Sequence, residues 1–205
     1  MNVATKASIA LAGTAGATGG GVFMHKLINR NTISKNINPN HLLKANDADK
    51  WSHRVQLLKT ASEAALSKDL LFSKKNKKSH FSSDDLKKWC FESLETDFLG
   101  KEDKKFQNVV LYCGINMGDK ITGTKVDSST ETSNAKLGEN FTKLKNKTQD
   151  QLVSELFSIK NKDNATSTWA GGTALKEWCV KALNMPFEEG LTFDNAKDYC
   201  VITNP

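Results

Sequence analysis

Apolar residues recur at three- and four-residue spacings through most of the chain, a pattern typical of amphipathic helices. Along one predicted helix, Leu86, Cys90, Leu94 and Phe98 advance by fours on one face. No run alternates between apolar and polar residues for long enough to predict a strand. The pattern therefore predicts an all-α fold with about three helices in each of two similar regions.

The two regions are similar because the same apolar and aromatic residues occur twice in the same order. The matched blocks are 71–77 with 156–162, 86–98 with 175–187, and 106–113 with 193–200. The repeated positions are apolar, aromatic or cysteine, which indicates a repeated structural unit rather than a duplicated catalytic site. We predict tandem helical repeats at 51–118 and 137–205, joined by a connector at 119–136.

Capping residues predict where several helices begin. Ser82 precedes Asp85 at the spacing of a capping box, and Phe81 faces Leu86 as a hydrophobic staple. The same chemistry predicts further helix starts at the threonines Thr148, Thr173 and Thr192. Gly100 is expected to end the helix that begins at Ser82.

Residues 7–24 carry no charge and number 18, just enough for a tilted membrane span. Alanine, glycine and threonine dominate, so the hydropathy is marginal, and a flexible leader is the alternative. We predict a membrane anchor or signal-like segment at 1–28 with a hydrophobic helix, retained or cleaved near Ala17. The Asn-rich residues 29–50 are predicted to form a polar linker.

The net charge of +6 comes almost entirely from lysine, since Arg30 and Arg54 are the only arginines among 29 basic residues. Proteins that read bases or clamp phosphates favour arginine, so no nucleic-acid partner is predicted. The lysine cluster at 74–78 is compatible with anionic ligands, but such clusters are usually solvated. No cofactor motif occurs.

Four cysteines, two in each predicted repeat, stand 23 and 21 residues apart: Cys90 with Cys113 and Cys179 with Cys200. This spacing predicts one structural disulfide per repeat, each stabilising the fold by about 3 kcal/mol. Four buried thiols, as in cytosolic proteins, are the alternative. Close cysteine pairs typical of zinc sites are absent, and the second repeat has no histidine, so neither metal-binding nor catalytic residues are predicted.

This chain of 205 residues combines a Gly/Ala-rich start, a Lys/Asn bias with few arginines, and W-C and Y-C pairs. It resembles the large paralogous families of uncharacterised proteins of haemotropic mycoplasmas, over residues 1–24 and both repeats. The resemblance implies a host-cell-associated or secreted protein with an antigenic role, and carries over no site residues.

Two functional interpretations follow. In the first, the protein is tethered through residues 7–24, faces outward, and serves an interaction or antigenic role toward a host or surface protein without catalysis. In the second, it is a soluble or cytoplasmic-side structural protein with reduced cysteines. Lys26, Arg30 and Lys35 follow the apolar segment and favour the cytoplasmic side, whereas disulfides favour the outer side or secretion.

Overall fold

Helices dominate the structure, a computed structural model that describes residues 30–77, 80–161 and 170–203. Nine α-helices and one two-stranded sheet occur in these ranges, which confirms the all-α prediction. The predicted helix at 7–24 lies outside the described residues. No helix within them is both long and apolar enough to cross a bilayer.

Residues 32–205 form one compact unit, which we divide into a first half (32–115) and a second half (116–203). The first half contains 3-10 turns at Ile33–Asn36, Pro39–His41 and Glu63–Ala65, and helices α1 (Ala48–Thr60), α2 (Lys68–Lys77), α3 (Ser83–Leu94) and α4 (Lys104–Cys113). The second half contains helix α5 (Met117–Lys120), strand β1 (Thr124–Lys125), helix α6 (Ala135–Lys145), a 3-10 turn at Gln149–Gln151, helices α7 (Ser154–Lys160), α8 (Ala170–Leu183) and α9 (Leu191–Tyr199), and strand β2 (Val201–Thr203).

Each half has its own hydrophobic core. The first core draws fully buried side chains from α1, α2 and α3, and its largest members include Trp51, Leu70 and Leu86. The second core draws side chains from α6, α7 and α8, with Phe141, Leu156 and Leu175 fully buried. The described part of the fold is therefore two small cores in one unit.

The start of α3 is as predicted. The Ser82 hydroxyl accepts a hydrogen bond from the Asp85 N–H, and the Asp85 carboxylate accepts one from the Ser82 N–H. Both staple residues, Phe81 and Leu86, are buried. The end differs, because α3 stops at Leu94 and Phe98 packs beyond the helix rather than on its face.

Other predicted helix starts are wrong. The capping box of Thr148 opens a 3-10 turn at Gln149–Gln151 instead of α7. Thr173 lies inside α8, because the buried Gly171 and Gly172 are helical despite their low propensity. Thr192 lies inside α9, whose N-cap is Gly190 with φ 133°. Burial overrides local propensity at Gly171 and Gly172.

Residues 32–50 belong to the first half, which corrects their interpretation as a linker. Ile33 is fully buried, and its N–H donates to the Thr96 carbonyl at 2.9 Å. Leu43 is also buried, and its N–H donates to the Cys113 carbonyl at 2.9 Å. The polar, Asn-rich composition of this segment gave no sign that Ile33 and Leu43 are buried in the core.

The connector predicted at 119–136 is likewise part of a core. Ile121 and Val126 are buried with the second half, and β1 pairs with β2 in an antiparallel two-stranded sheet. Helix α6 begins before the predicted repeat and buries Leu137, Phe141 and Leu144 on one face. Two- and three-residue strands are too short to leave an alternating pattern, so periodicity did not reveal them.

We expect Ile33→Ala to lower the free energy of unfolding by about 2–5 kcal/mol, because it empties a fully enclosed site. The control is Leu99→Ala, since Leu99 is 76% exposed and should change stability by less than about 0.5 kcal/mol. Urea unfolding of the full chain measures both. Equal effects would mean that residues 32–50 do not contribute to the core.

Candidate functional site at the junction of the halves

Two disulfides form between the cysteines that the spacing pairs. Cys90 of α3 is bonded to Cys113 at the end of α4, and Cys179 of α8 is bonded to Cys200 after α9. The Cα–Cα distances are 5.7 and 5.3 Å, and the chain has no free cysteine. The first disulfide links the end of α4 to α3, which carries Trp89. The second links the end of α9 to α8, which carries Trp178.

The repeated aromatic residues lie in the cores rather than in a binding site. Trp89 and Trp178 are only 4% and 8% exposed, and the Trp89 indole N–H donates to the Asp69 carboxylate at 3.0 Å. Burial raises the pKa of both Tyr112 and Tyr199, and the charge of the neighbouring Asp198 adds to the shift at Tyr199.

Two buried asparagines make the same pair of hydrogen bonds in the two halves. Asn108 accepts from the Ser67 N–H at 2.7 Å and donates to the Ala65 carbonyl at 3.0 Å. Asn195 accepts from the Val153 N–H and donates to the Gln151 carbonyl, both at 3.0 Å. Each side chain binds the short 3-10 turn before α2 or α7. Both asparagines stand in a repeated sequence block, but the block alone did not indicate this role.

Residues 113–117, which run from the last residue of α4 to the first residue of α5 with extended backbone between them, join the halves by backbone hydrogen bonds. On one side, the Ile115 N–H donates to the His41 carbonyl at 2.7 Å. On the other side, the Met117 N–H donates to the Met185 carbonyl at 3.0 Å, and the Phe187 N–H donates to the Ile115 carbonyl at 2.8 Å. A side chain at residue 114 would collide with the Val110 carbonyl oxygen, so glycine is required there.

A buried ion pair crosses the same junction. The guanidinium of Arg54, which is fully buried, bonds to the Asp119 carboxylate and donates to the Gly114 carbonyl at 3.2 Å. Asp119 also accepts from the Asn116 N–H at 2.8 Å. Burial lowers the pKa of Arg54, and the Asp119 charge partly offsets this effect. The pair ties α1 of the first half to α5 of the second.

A groove of about 350 Å³ lies beside this junction and is lined by residues of both halves. His41 and Ile115 come from the first half, whereas Pro186, Phe187 and Glu188 come from the second. The Phe187 ring meets the His41 ring edge-on, with 5.4 Å between centroids. Sequence reasoning missed this groove, because its walls are brought together only by the 113–117 segment.

Lysines of the predicted 74–78 cluster are engaged in the fold where the structure describes them. Lys74 donates to the Leu58 carbonyl at 2.7 Å, which caps the end of α1. Lys75 and Lys77 pair with Glu63 and Asp85 at 2.7 and 3.4 Å. These contacts account for the three described lysines without an anionic ligand.

The carboxylates with shifted pKa values hold turns and helix ends. The Ser82 N–H lowers the pKa of Asp85, and the Ser129 hydroxyl lowers the pKa of Asp127. Burial opposes ionisation of Asp69, but hydrogen bonds from neighbours including Lys105 outweigh it and lower its pKa. A lowered pKa makes a carboxylate a weaker general base at neutral pH. Within the described ranges, no three His, Cys, Asp or Glu side chains converge on a potential metal site.

No family model matches the sequence, and neither a characterised protein nor a solved structure shows a significant likeness to it.

We expect Asn108→Ala and Asn195→Ala each to lower the free energy of unfolding by about 1–3 kcal/mol, because each leaves a buried backbone donor and acceptor unpaired. Asn146→Ala is the matched control, since Asn146 is exposed at the end of α6. Urea unfolding gives the three values. A loss no greater than that of the control would refute the role assigned to these amides.

Breaking the ion pair with Arg54→Met should cost about 3–5 kcal/mol, because it leaves the Asp119 carboxylate without its cation. The double variant Arg54→Met/Asp119→Asn should recover part of that loss in urea unfolding, because it removes the unpaired charge and keeps an acceptor for the Asn116 N–H. Lys75→Met, which breaks a pair that is more than half exposed on both sides, should cost less than about 1 kcal/mol. Similar losses for Arg54→Met and Lys75→Met would contradict the importance of the pair.

Proposed function

We propose that this chain is a membrane-tethered, outward-facing interaction protein built from two copies of one disulfide-linked helical unit and without catalytic activity. Residues 7–24 provide the tether, and the two units present a surface to a host or surface protein partner, with an interaction or antigenic role. The observation that carries this proposal is the pair of buried disulfides at matching places in the two halves.

Matching interactions support two copies that begin at residues 32 and 116, rather than at 51 and 137. The Leu43 N–H donates to the Cys113 carbonyl, and the Val126 N–H donates to the Cys200 carbonyl, both at 2.9 Å. Aromatic pairs also correspond, with centroid distances of 4.9 Å for Phe98–Phe106 and 5.0 Å for Phe187–Phe193. These matches are backbone hydrogen bonds and ring contacts, which two segments of similar sequence need not share.

Buried positions 86 residues apart support the same correspondence. Leu70 and Leu156 are both fully buried, which aligns Leu70, not Leu71, with Leu156 and shifts the first matched block by one residue. Arg54 and Asn140 occupy a further pair of corresponding places. Arg54 binds the Gly114 carbonyl, while Asn140 binds the Val201 carbonyl at 2.9 Å.

The disulfides support an oxidising compartment, because cytosolic reductants keep most protein thiols reduced. All four cysteines are at most 2% exposed, so each bond is shielded from reductants once the chain has folded. Modest cores such as these gain most from such a link. An outward-facing or secreted location fits this chemistry better than the cytoplasmic alternative.

The described carboxylates with shifted pKa values are held ionised by hydrogen bonds within the protein. Among the described residues, the carboxylates with shifted pKa values have all moved downward, away from the range of a general base. Arg54 is committed to Asp119 and the Gly114 carbonyl. The buried amides of Asn108 and Asn195 bind backbone groups of the protein itself.

In protein from cells alkylated before lysis and kept unreduced, we expect no cysteine to react with N-ethylmaleimide, because all four are disulfide-bonded. The same protein reduced and denatured should gain four alkyl groups, measured as the mass of the intact chain. Peptide mapping should link Cys90 to Cys113 and Cys179 to Cys200. Four alkylated thiols in the unreduced sample would favour the cytoplasmic-side alternative and refute the outward-facing proposal.

A further inference from the structure

We infer that the groove between the halves binds short zwitterionic peptides with apolar side chains. This junction groove has an apolar floor formed by Ile37, Phe106, Val110, Ile115 and Phe187. Its volume of about 350 Å³ lies at the small end of the range for small-molecule sites, which often occur where two structural units meet. The inference goes beyond the proposed function and stands even if the tether does not.

The floor is held in place before any ligand arrives. The Phe187 N–H donates to the Ile115 carbonyl at 2.8 Å, so a backbone hydrogen bond joins the two walls. The Phe187 ring contacts the His41 ring at 5.4 Å and the Phe193 ring at 5.0 Å, and the Lys120 ammonium lies 5.1 Å from its centroid. A preorganised site spends less of its binding energy on ordering side chains.

Two opposite charges stand on the rim of the junction groove. Lys101 and Glu188 both line it, and neither forms an ion pair with another described residue. The position that corresponds to Glu188 in the first half is Leu99, which is highly exposed. Folding of the unit therefore does not require an acid there, which leaves its charge free for a ligand.

These features select a ligand with both charges and an apolar body. Its ammonium group pairs with the Glu188 carboxylate, its carboxylate pairs with the Lys101 ammonium, and its side chains cover the apolar floor. Asn38 also lines the groove; its amide oxygen accepts from the Asn40 N–H at 3.0 Å. That leaves the Asn38 amide N–H groups to donate to the peptide carbonyl of the ligand. A dipeptide with aromatic and branched side chains combines all of these groups.

The test is a titration of the full chain, labelled with ¹⁵N, with L-phenylalanyl-L-leucine and with its N-acetyl, C-amide and doubly blocked forms. We expect saturable shifts of the Ile115 and Phe187 amide signals. Each blocked terminus should weaken binding about two- to fivefold, as expected for a partly exposed ion pair. Equal affinity for free and doubly blocked peptides, or shifts that map outside the groove, would overturn the inference.

Charge-neutral variants identify the partner of each terminus. Glu188→Gln should weaken binding of the free dipeptide about two- to fivefold but leave the N-acetyl form unaffected, and Lys101→Gln should do the same for the C-amide form. Glu189→Gln and Lys59→Gln are matched controls on exposed sites outside the groove. Both groove residues are exposed, so the variants should fold. Unchanged affinity in Glu188→Gln and Lys101→Gln would overturn the assignment of charges.

Discussion

The backbone hydrogen bonds of residues 113–117 are the constraint on which the arrangement of the two halves depends. This segment is bonded to residues 41–43 on one side and to residues 185–187 on the other. It also begins at a disulfide, through Cys113, and carries the carbonyl that Arg54 binds. A change in its position would therefore disturb a core, an ion pair and the junction groove together.

Single asparagine side chains pair buried backbone N–H and carbonyl groups that a larger sheet would pair in other folds. Asn108 and Asn195 each bind a carbonyl of a 3-10 turn and the N–H two residues after it, and Asn140 binds two carbonyls at the C-terminal end of the second half. Buried backbone groups without partners are costly, and a fully paired amide removes that cost. Such groups also favour one packing arrangement over others, because alternatives leave them unpaired.

The extended segments at the junction are protected from pairing with further strands. Pro186 has no N–H to offer on the outer edge, and the Leu42 N–H on the opposite edge already donates to the Pro39 carbonyl at 3.3 Å. Proline at sheet edges commonly limits unwanted association. The junction thus joins two halves of one chain while offering few backbone donors at its edges.

Local chemistry in the sequence determined the helical class, the capping box at Ser82, the pairing of the cysteines and the burial of Trp89 and Trp178, because each depends on side-chain types at most 23 residues apart in the chain. Tertiary structure decided the rest. The inclusion of residues 32–50, the extension of α8 through Gly171, the Arg54–Asp119 pair and the junction groove depend on contacts between segments far apart in the chain. Backbone pairing across such distances leaves no periodic signal in the side chains, so only the folded chain reveals it.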